Sequence, residues 1–324
     1  KYFNEVISNL QYRLFDYNYL YNKNQDFDKI NFLKSRLYYN EKYFIQEKDY
    51  HYKFFIDVDK MKVYAYIKHE FIGGAYLLTL FYSFINTPQK DISVLFPKSS
   101  LFNFFFCLKL LYNYNKIPKL KTGDFLPFVE DKKDMKRYVN NYTLDINQCD
   151  SIKSVILFNI MSVVYKSLKL NRPLVCYLPV AIQHYPNVKN NIGLMWLTFD
   201  INKDTPKSIS DQINNNRYQV LATNFYLLHK NSKTEEGTKV RKNVDAVISF
   251  MLATEKKCNM KASWTYEFIS DYPVYISISS ILKEDQIDIT QTITSSTSQF
   301  DISFENSFKE VEFKDYKLDL NFKK

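Results

Sequence analysis

Glycine is nearly missing from this chain, with five residues in 324. Tryptophan occurs twice, cysteine and histidine four times each, and proline nine times. So little glycine and proline excludes collagen-like, flexible-linker and proline-rich low-complexity architectures. The cysteines, Cys107, Cys149, Cys176 and Cys258, stand far apart and form no C-x-x-C pair and no metal spacing with a histidine. That argues against a zinc module or a disulfide scaffold, and for free thiols in a cytoplasmic protein. No stretch reads as a secretory signal peptide. The longest apolar run, Phe71 to Ile85, is broken by Thr79 and Ser83 and is too short for a membrane span.

What is present is apolar and aromatic. Hydrophobic residues make up 46% of the chain and aromatic residues 17%, too much for a disordered protein. Lys, Asn, Tyr, Phe and Ile dominate, a bias that AT-rich codons produce without any functional cause. The length allows a large core divided between two lobes. The chain begins with Lys1 rather than Met, as a truncated sequence or part of a longer chain would. The formal charge of +9 favours anionic partners, but the positive residues are spread out. The densest basic segment, "KNSKTEEGTKVRKN" (230–243), reads as a solvated loop or, alternatively, a phosphate contact. No nucleic-acid-binding motif accompanies it.

Along the chain, residues 1–50 are polar and tyrosine-rich with helical patches such as "FNEVISNLQYRLF". Two strands, "KFFIDVD" and "KVYAYIKHE", follow around a short turn, then helices near 75–86 and 99–115. Residues 118–145 read as irregular and charged. A long buried helix is expected in "CDSIKSVILFNIMSVVYKSLKL", with an Asp cap. Next come strands "RPLVCYLPVAI" and "NNIGLMWLTFDI", a helix in "SISDQINNNRYQVLATNF", and β-like stretches "YPVYISISSI", "IDITQTITSSTSQFDISF" and "KEVEFKDYKLDLNF". Alternating helices and strands give an α/β protein with covered sheets. Its lobes are expected at 1–145 and 146–324.

Two of the rare glycines, Gly73 and Gly74, sit side by side four residues after a rare histidine. In "KVYAYIKHE" the period-2 alternation groups Val63, Ala65, Ile67 and His69 on one face. His69 thus closes an apolar strand face, and the glycines after it permit a tight turn and close approach of backbone or ligand. An interior histidine beside an ordinary turn fits the same pattern.

The run Lys68-His69-Glu70-Phe71-Ile72-Gly73-Gly74 resembles the HHxxxDG motif of the chloramphenicol acetyltransferase superfamily. That superfamily includes condensation domains, wax-ester synthases and carnitine acyltransferases. His69 stands at the catalytic position and Gly74 at the final glycine. Lys68 replaces the first histidine and Gly73 the aspartate, which in the family holds the loop through an arginine. The stretch 174–201 resembles the start of the family's second lobe, with His184 where arginine often stands. Ser296-Thr297-Ser298 is similar to the Ser-Thr-Ser segment of carnitine acyltransferases. Alternation would put Ser296 and Ser298 on one strand face with Phe300, Ile302 and Phe304.

The resemblance implies a two-lobed chloramphenicol-acetyltransferase-like fold of mixed sheets, with an active-site channel between lobes. It implies a coenzyme A thioester as co-substrate, no metal, and a small acceptor such as a sugar. His69 would be the general base and Ser298 the oxyanion donor, supported by Gly73, Gly74, Ser296 and Thr297. A monomer without nucleic-acid or membrane partners is the matching expectation. A catalytically inactive binding or structural module on the same fold is the alternative. His184 and His229 lack carboxylate or cysteine partners at useful spacing, and "DVDKMK" (57–62) lacks a full calcium-loop ligand run.

Overall fold

The computed structural model describes strands within 35–67, scattered positions from 112 to 134, and most of 135–311. Two compact units divide the chain. One comprises 1–93, 183–190 and 314–324, the other 94–182 and 191–313.

In the first unit, β1 (Ser35–Tyr39) pairs in parallel with β2 (Tyr52–Asp57), which pairs antiparallel with β3 (Lys62–Ile67). The β2/β3 register sets Ile56 beside Val63, Phe54 beside Ala65 and Tyr52 beside Ile67. The apolar alternation of β3 thus continues across the hairpin. The expected helix near 75–86 and the patches in 1–34 lie outside the described residues, and of 99–115 only Tyr112 is described, as helical.

In the second unit seven strands form one mixed sheet, in the order β10-β4-β9-β8-β7-β5-β6. These are β4 (Lys136–Asp145), β5 (Leu174–Ala181), β6 (Ile192–Phe199), β7 (Ala246–Lys257), β8 (Val274–Lys283), β9 (Gln286–Ser295) and β10 (Lys309–Val311). The β5/β7 and β7/β8 pairs are parallel; the others are antiparallel. The α/β class expected from the sequence is the one observed. The expectation of irregular chain over 118–145 is corrected at its end. Residues 136–145 form a ten-residue strand paired along its whole length with β9. Strand β4 falls in the second unit.

One face of this sheet is aliphatic. Cys176 and Leu178 of β5, Leu197 and Phe199 of β6, Ile248 of β7, Ile276 and Ile278 of β8, and Ile289 and Ile293 of β9 join one core. Helix α1 (Ile152–Ser167) packs on it with Ile156, Leu157, Ile160, Met161 and Val164, all fully buried. That spacing is one helical stripe. Burying each side chain stabilises by about 1.5–3 kcal/mol. The helix begins at Ser151, whose hydroxyl meets Ser154 Oγ at 2.9 Å and makes no cap to the helix backbone. The expected Asp cap, Asp150, lies outside the described residues. Past the end, Lys169 takes a left-handed φ of 49°.

Helix α2 (Pro206–His229) treats the outer edge of β6 differently. Gln212, Asn216, Gln219 and Thr223 recur at helical spacing, and each bonds the β6 backbone. Gln212 Oε1 accepts from Thr198 N and its Nε2 donates to Thr198 O. Asn216 Nδ2 donates to Trp196 O, and Gln219 Oε1 accepts from Trp196 N. Thr223 Oγ1 accepts from Leu194 N at 2.7 Å. Alternate residues of the edge strand thus find side chains where a further strand would bond. The close fit explains Gly193: a Cβ there would lie 2.0 Å from Val220 O.

At the sheet's lower end Arg172 holds three segments together. Its guanidinium grips Asp245 at 2.7 and 2.8 Å and donates to Asp124 O at 2.7 Å. The fully buried Asp245 also accepts from Val175 N at 2.9 Å. Among the described residues, no helix is long and apolar enough to cross a membrane.

Candidate functional site

Two segments carry the candidate chemistry, and they fall in different compact units. The first is the run after β3. Strand β3 ends at Ile67, so the motif from Lys68 follows it directly in sequence. His69, Gly73 and Gly74 lie outside the described residues, as do His184 and the basic segment 230–243.

The second is the end of β9. The expectation of a continuous strand through 304 is corrected, because β9 stops at Ser295 and the chain turns. The cause is local competition by hydroxyls for backbone partners. Ser295 Oγ bonds both N and O of Thr297 at 3.3 Å, and Thr297 Oγ1 accepts from Gln299 N. Ser296 and Ser298 consequently do not share a strand face. Ser296 and Thr297 are buried, whereas Ser298 is exposed at the turn. Phe300 and Ile302 return to the core, and Phe304 is exposed.

Ser296 is bound on every side. Its hydroxyl donates to Tyr272 O and to Pro273 O, its N donates to Pro273 O at 2.9 Å, and its O accepts from Val129 N at 2.7 Å. The 296 position thereby fastens the turn to the chain entering β8 and to residue 129.

The sheet face opposite α1 carries polar side chains that the sequence reading did not single out. Register places Ser249, Ser277 and Thr292 in one row across β7, β8 and β9. The next row runs Ser279, Thr290 and Asn141 across β8, β9 and β4. Ser249, Ser277, Ser279 and Thr292 are all buried. Toward the β4 side, Thr290 Oγ1 donates to Asn141 Oδ1 and Thr143 Oγ1 to Asp288 Oδ1. The sequence signal was present as Ser and Thr at alternate positions of "YISIS" and "DITQTIT", opposite isoleucines that face the core.

Titratable groups here are mostly structural. Desolvation lowers the Lys153 ammonium from its usual range, with Nζ 5.7 Å above the Phe250 ring. Burial raises the Cys176 thiol, then the charge of Asp245 adds to it, so this cysteine is held as an unreactive thiol. Among the described residues, no three His, Cys, Asp or Glu side chains gather as metal ligands.

No family model matches the sequence, and no curated protein matches it. Similar solved structures exist. One is from work on condensation domain-mediated chain release from the enacyloxin polyketide synthase, with TM-score 0.48 and 8% identity over 85% of this chain. This chain spans 65% of that one. A second is the epimerization domain from the third module of tyrocidine synthetase B, with TM-score 0.45 and 12% identity over 80% of this chain and 74% of that one. A third is a wax ester synthase/diacylglycerol acyltransferase from Marinobacter aquaeolei VT8, with TM-score 0.34, 10% identity, and coverage of 63% and 53%.

Proposed function

We propose that this chain is an acyltransferase that moves an acyl group from a thioester to a hydroxyl or amine. One observation carries the reading. The Lys68-to-Gly74 run, with two of five glycines, directly follows β3 in sequence, and period-2 spacing of the sequence would group His69 with Val63, Ala65 and Ile67. In this reading the donor is a coenzyme A thioester and the acceptor a small polar molecule such as a sugar. The setting is a cytoplasmic monomer, or one part of a longer chain.

His69 takes the acceptor proton as the acceptor oxygen or nitrogen attacks the thioester carbon. An imidazole with its ordinary pKa of about 6.5 is neutral enough at pH 7 for this role. The tetrahedral oxyanion then collapses, the C–S bond breaks, and the imidazolium returns the proton to the leaving thiolate. Ser298, exposed at its turn, donates a hydrogen bond to the oxyanion; one such donor lowers a barrier by roughly 3 kcal/mol. Gly73 and Gly74 let the chain pass close to the reacting groups, and Thr297 supports the turn. The scheme uses neither a metal nor a covalent enzyme intermediate.

The test is thermal shift with coenzyme A, acetyl-CoA and acetyl-pantetheine, followed by free-thiol detection with a panel of acceptors. A bound ligand raises Tm by mass action. Stabilisation by a thioester, with thiol release that His69→Ala abolishes, supports the reading. Full turnover in His69→Ala overturns it. Lys68 and Gly73, at the motif's histidine and aspartate positions, favour a second reading as a binding module without chemistry. That reading predicts no thiol release with any thioester.

A further inference from the structure

We propose that α2 fills the place of an eighth strand and so holds shut a self-association edge: with α2 displaced, the β6 edges of two copies pair antiparallel about Trp196 and join their sheets in a two-fold dimer. A strand at a sheet edge directs the N–H and C=O of alternate residues outward. In β6 these residues include Leu194, Trp196 and Thr198, and side chains of α2 meet both groups of all three. Gln212 serves Thr198, and Gln219 with Asn216 serves Trp196. The rung at Leu194 is the weak one. Thr223 has one hydroxyl proton, and Gln219 O at 2.9 Å and Val220 O at 3.1 Å compete for it with Leu194 O at 3.2 Å. Packing also holds α2 in place, since its Ile209 and Val220 are fully buried. The edge therefore stays closed in the wild-type chain.

The occupant that fits the bared edge is the same edge of a second copy. Antiparallel self-pairing centred on Trp196 sets Leu194 of each copy opposite Thr198 of the other. Each N–H of these three residues then meets a C=O across the contact, and the two-fold closes it. The segment Ile192–Phe199 contains no charged residue and no proline, the composition of strands that pair with their own kind. The sheet's other edge is unsuited to this. Strand β10 has three residues, all exposed, and Lys309 and Glu310 are charged. Gly193 marks where α2 lies closest to β6, since a Cβ there would meet Val220 O.

The experiment measures mass by light scattering over a concentration series for wild type, for Gln212→Ala/Asn216→Ala/Gln219→Ala, and for Gly193→Val. The triple variant removes the amide rungs, and Gly193→Val pushes α2 away from the strand side. Wild type is expected to keep the monomer mass, and both variants to rise toward twice that mass with concentration. Adding Thr198→Pro deletes an outward N–H where an edge strand tolerates proline, and should return each variant to monomer. Should the triple variant not fold, as read by circular dichroism, Gln212→Ala with Asn216→Ala removes the rungs to Thr198 and to Trp196 O and makes the same comparison. Folded variants that stay monomeric at every concentration would overturn the proposal. A dimer that Thr198→Pro leaves intact would overturn it too, by placing the contact elsewhere. Growth beyond two copies would do the same, because a closed two-fold stops at the dimer. A dimeric wild type would leave α2 with nothing to guard and would also refute it.

Discussion

Replacing Arg172 by alanine should be among the most damaging single changes in the second unit. Asp245 is completely buried and receives two guanidinium bonds, at 2.7 and 2.8 Å, plus the Val175 N–H at 2.9 Å. Removing the arginine leaves a buried carboxylate with one backbone donor and strips Asp124 O of its partner. Breaking a buried pair by deleting one member costs about 3–5 kcal/mol. With a urea m-value of about 2 kcal/mol/M, the midpoint should fall by roughly 1.5–2.5 M. Equilibrium urea unfolding followed by tryptophan fluorescence reads this, since the buried Trp196 lies in the same sheet. Arg172→Met combined with Asp245→Leu is the control. Replacing both charges with apolar groups should recover most of the loss, because the penalty lies in the unpaired charge. A midpoint shift under about 0.5 M for Arg172→Ala, or a double variant as weak as the single, would refute this account.

Three further outcomes can be checked. Gly193→Ala should lower Tm, because the new Cβ would lie 2.0 Å from Val220 O and α2 must shift; overpacking of this kind typically costs about 1–3 kcal/mol. Gln219→Leu should destabilise by about 1–3 kcal/mol, since Trp196 N–H loses its acceptor at a buried site, while exposed Asn215→Leu should be near neutral by the same thermal melt. The Asp301 carboxyl is held at about 2 by the Ser303 hydroxyl and N–H, with Lys169 contributing. Its folded pKa lies below the unfolded value, so its contribution is present above about pH 4 and lost as pH falls toward 2. Asp301→Asn should therefore flatten the acid limb of a stability-against-pH curve between those limits, read from urea midpoints.

Elements with unambiguous period were legible in the sequence. The helix stripe Ile156-Ile160-Val164 and the apolar strands β5, β6 and β8 announce themselves by spacing alone. Strand β4 did not, because Asn140-Asn141 interrupts it and charged residues flank it, while its place comes from pairing with β9. Strand β7 was not singled out either; "AVISFML" is a short apolar run with no alternation to distinguish strand from helix. The Ser-Thr-Ser segment failed in the opposite direction. Its β-branched, alternating composition reads as strand, but side-chain hydroxyls bond the nearby backbone and turn it. The segment of α2 reads from the sequence only as a helix, and its stripe of Gln212, Asn216, Gln219 and Thr223 was not singled out. Only the neighbouring edge of β6 explains it.

The sheet also has a timetable. Side chains of α2 meet β6 across 14 to 29 residues of chain. Thr143 and Asp288, which join β4 to β9, are 145 residues apart. During synthesis at about 5–20 residues per second, β4 emerges roughly 7–30 s before the strand that pairs with it. The β5–β6–α2 block can close within seconds of its own appearance, whereas β4 must wait with its hydrogen-bonding edge bare. The nascent chain should therefore be most vulnerable to misassociation between the emergence of β4 and that of β9. A ribosome-bound chain ending between α2 and β9 is the species that a trigger-type chaperone would grip longest.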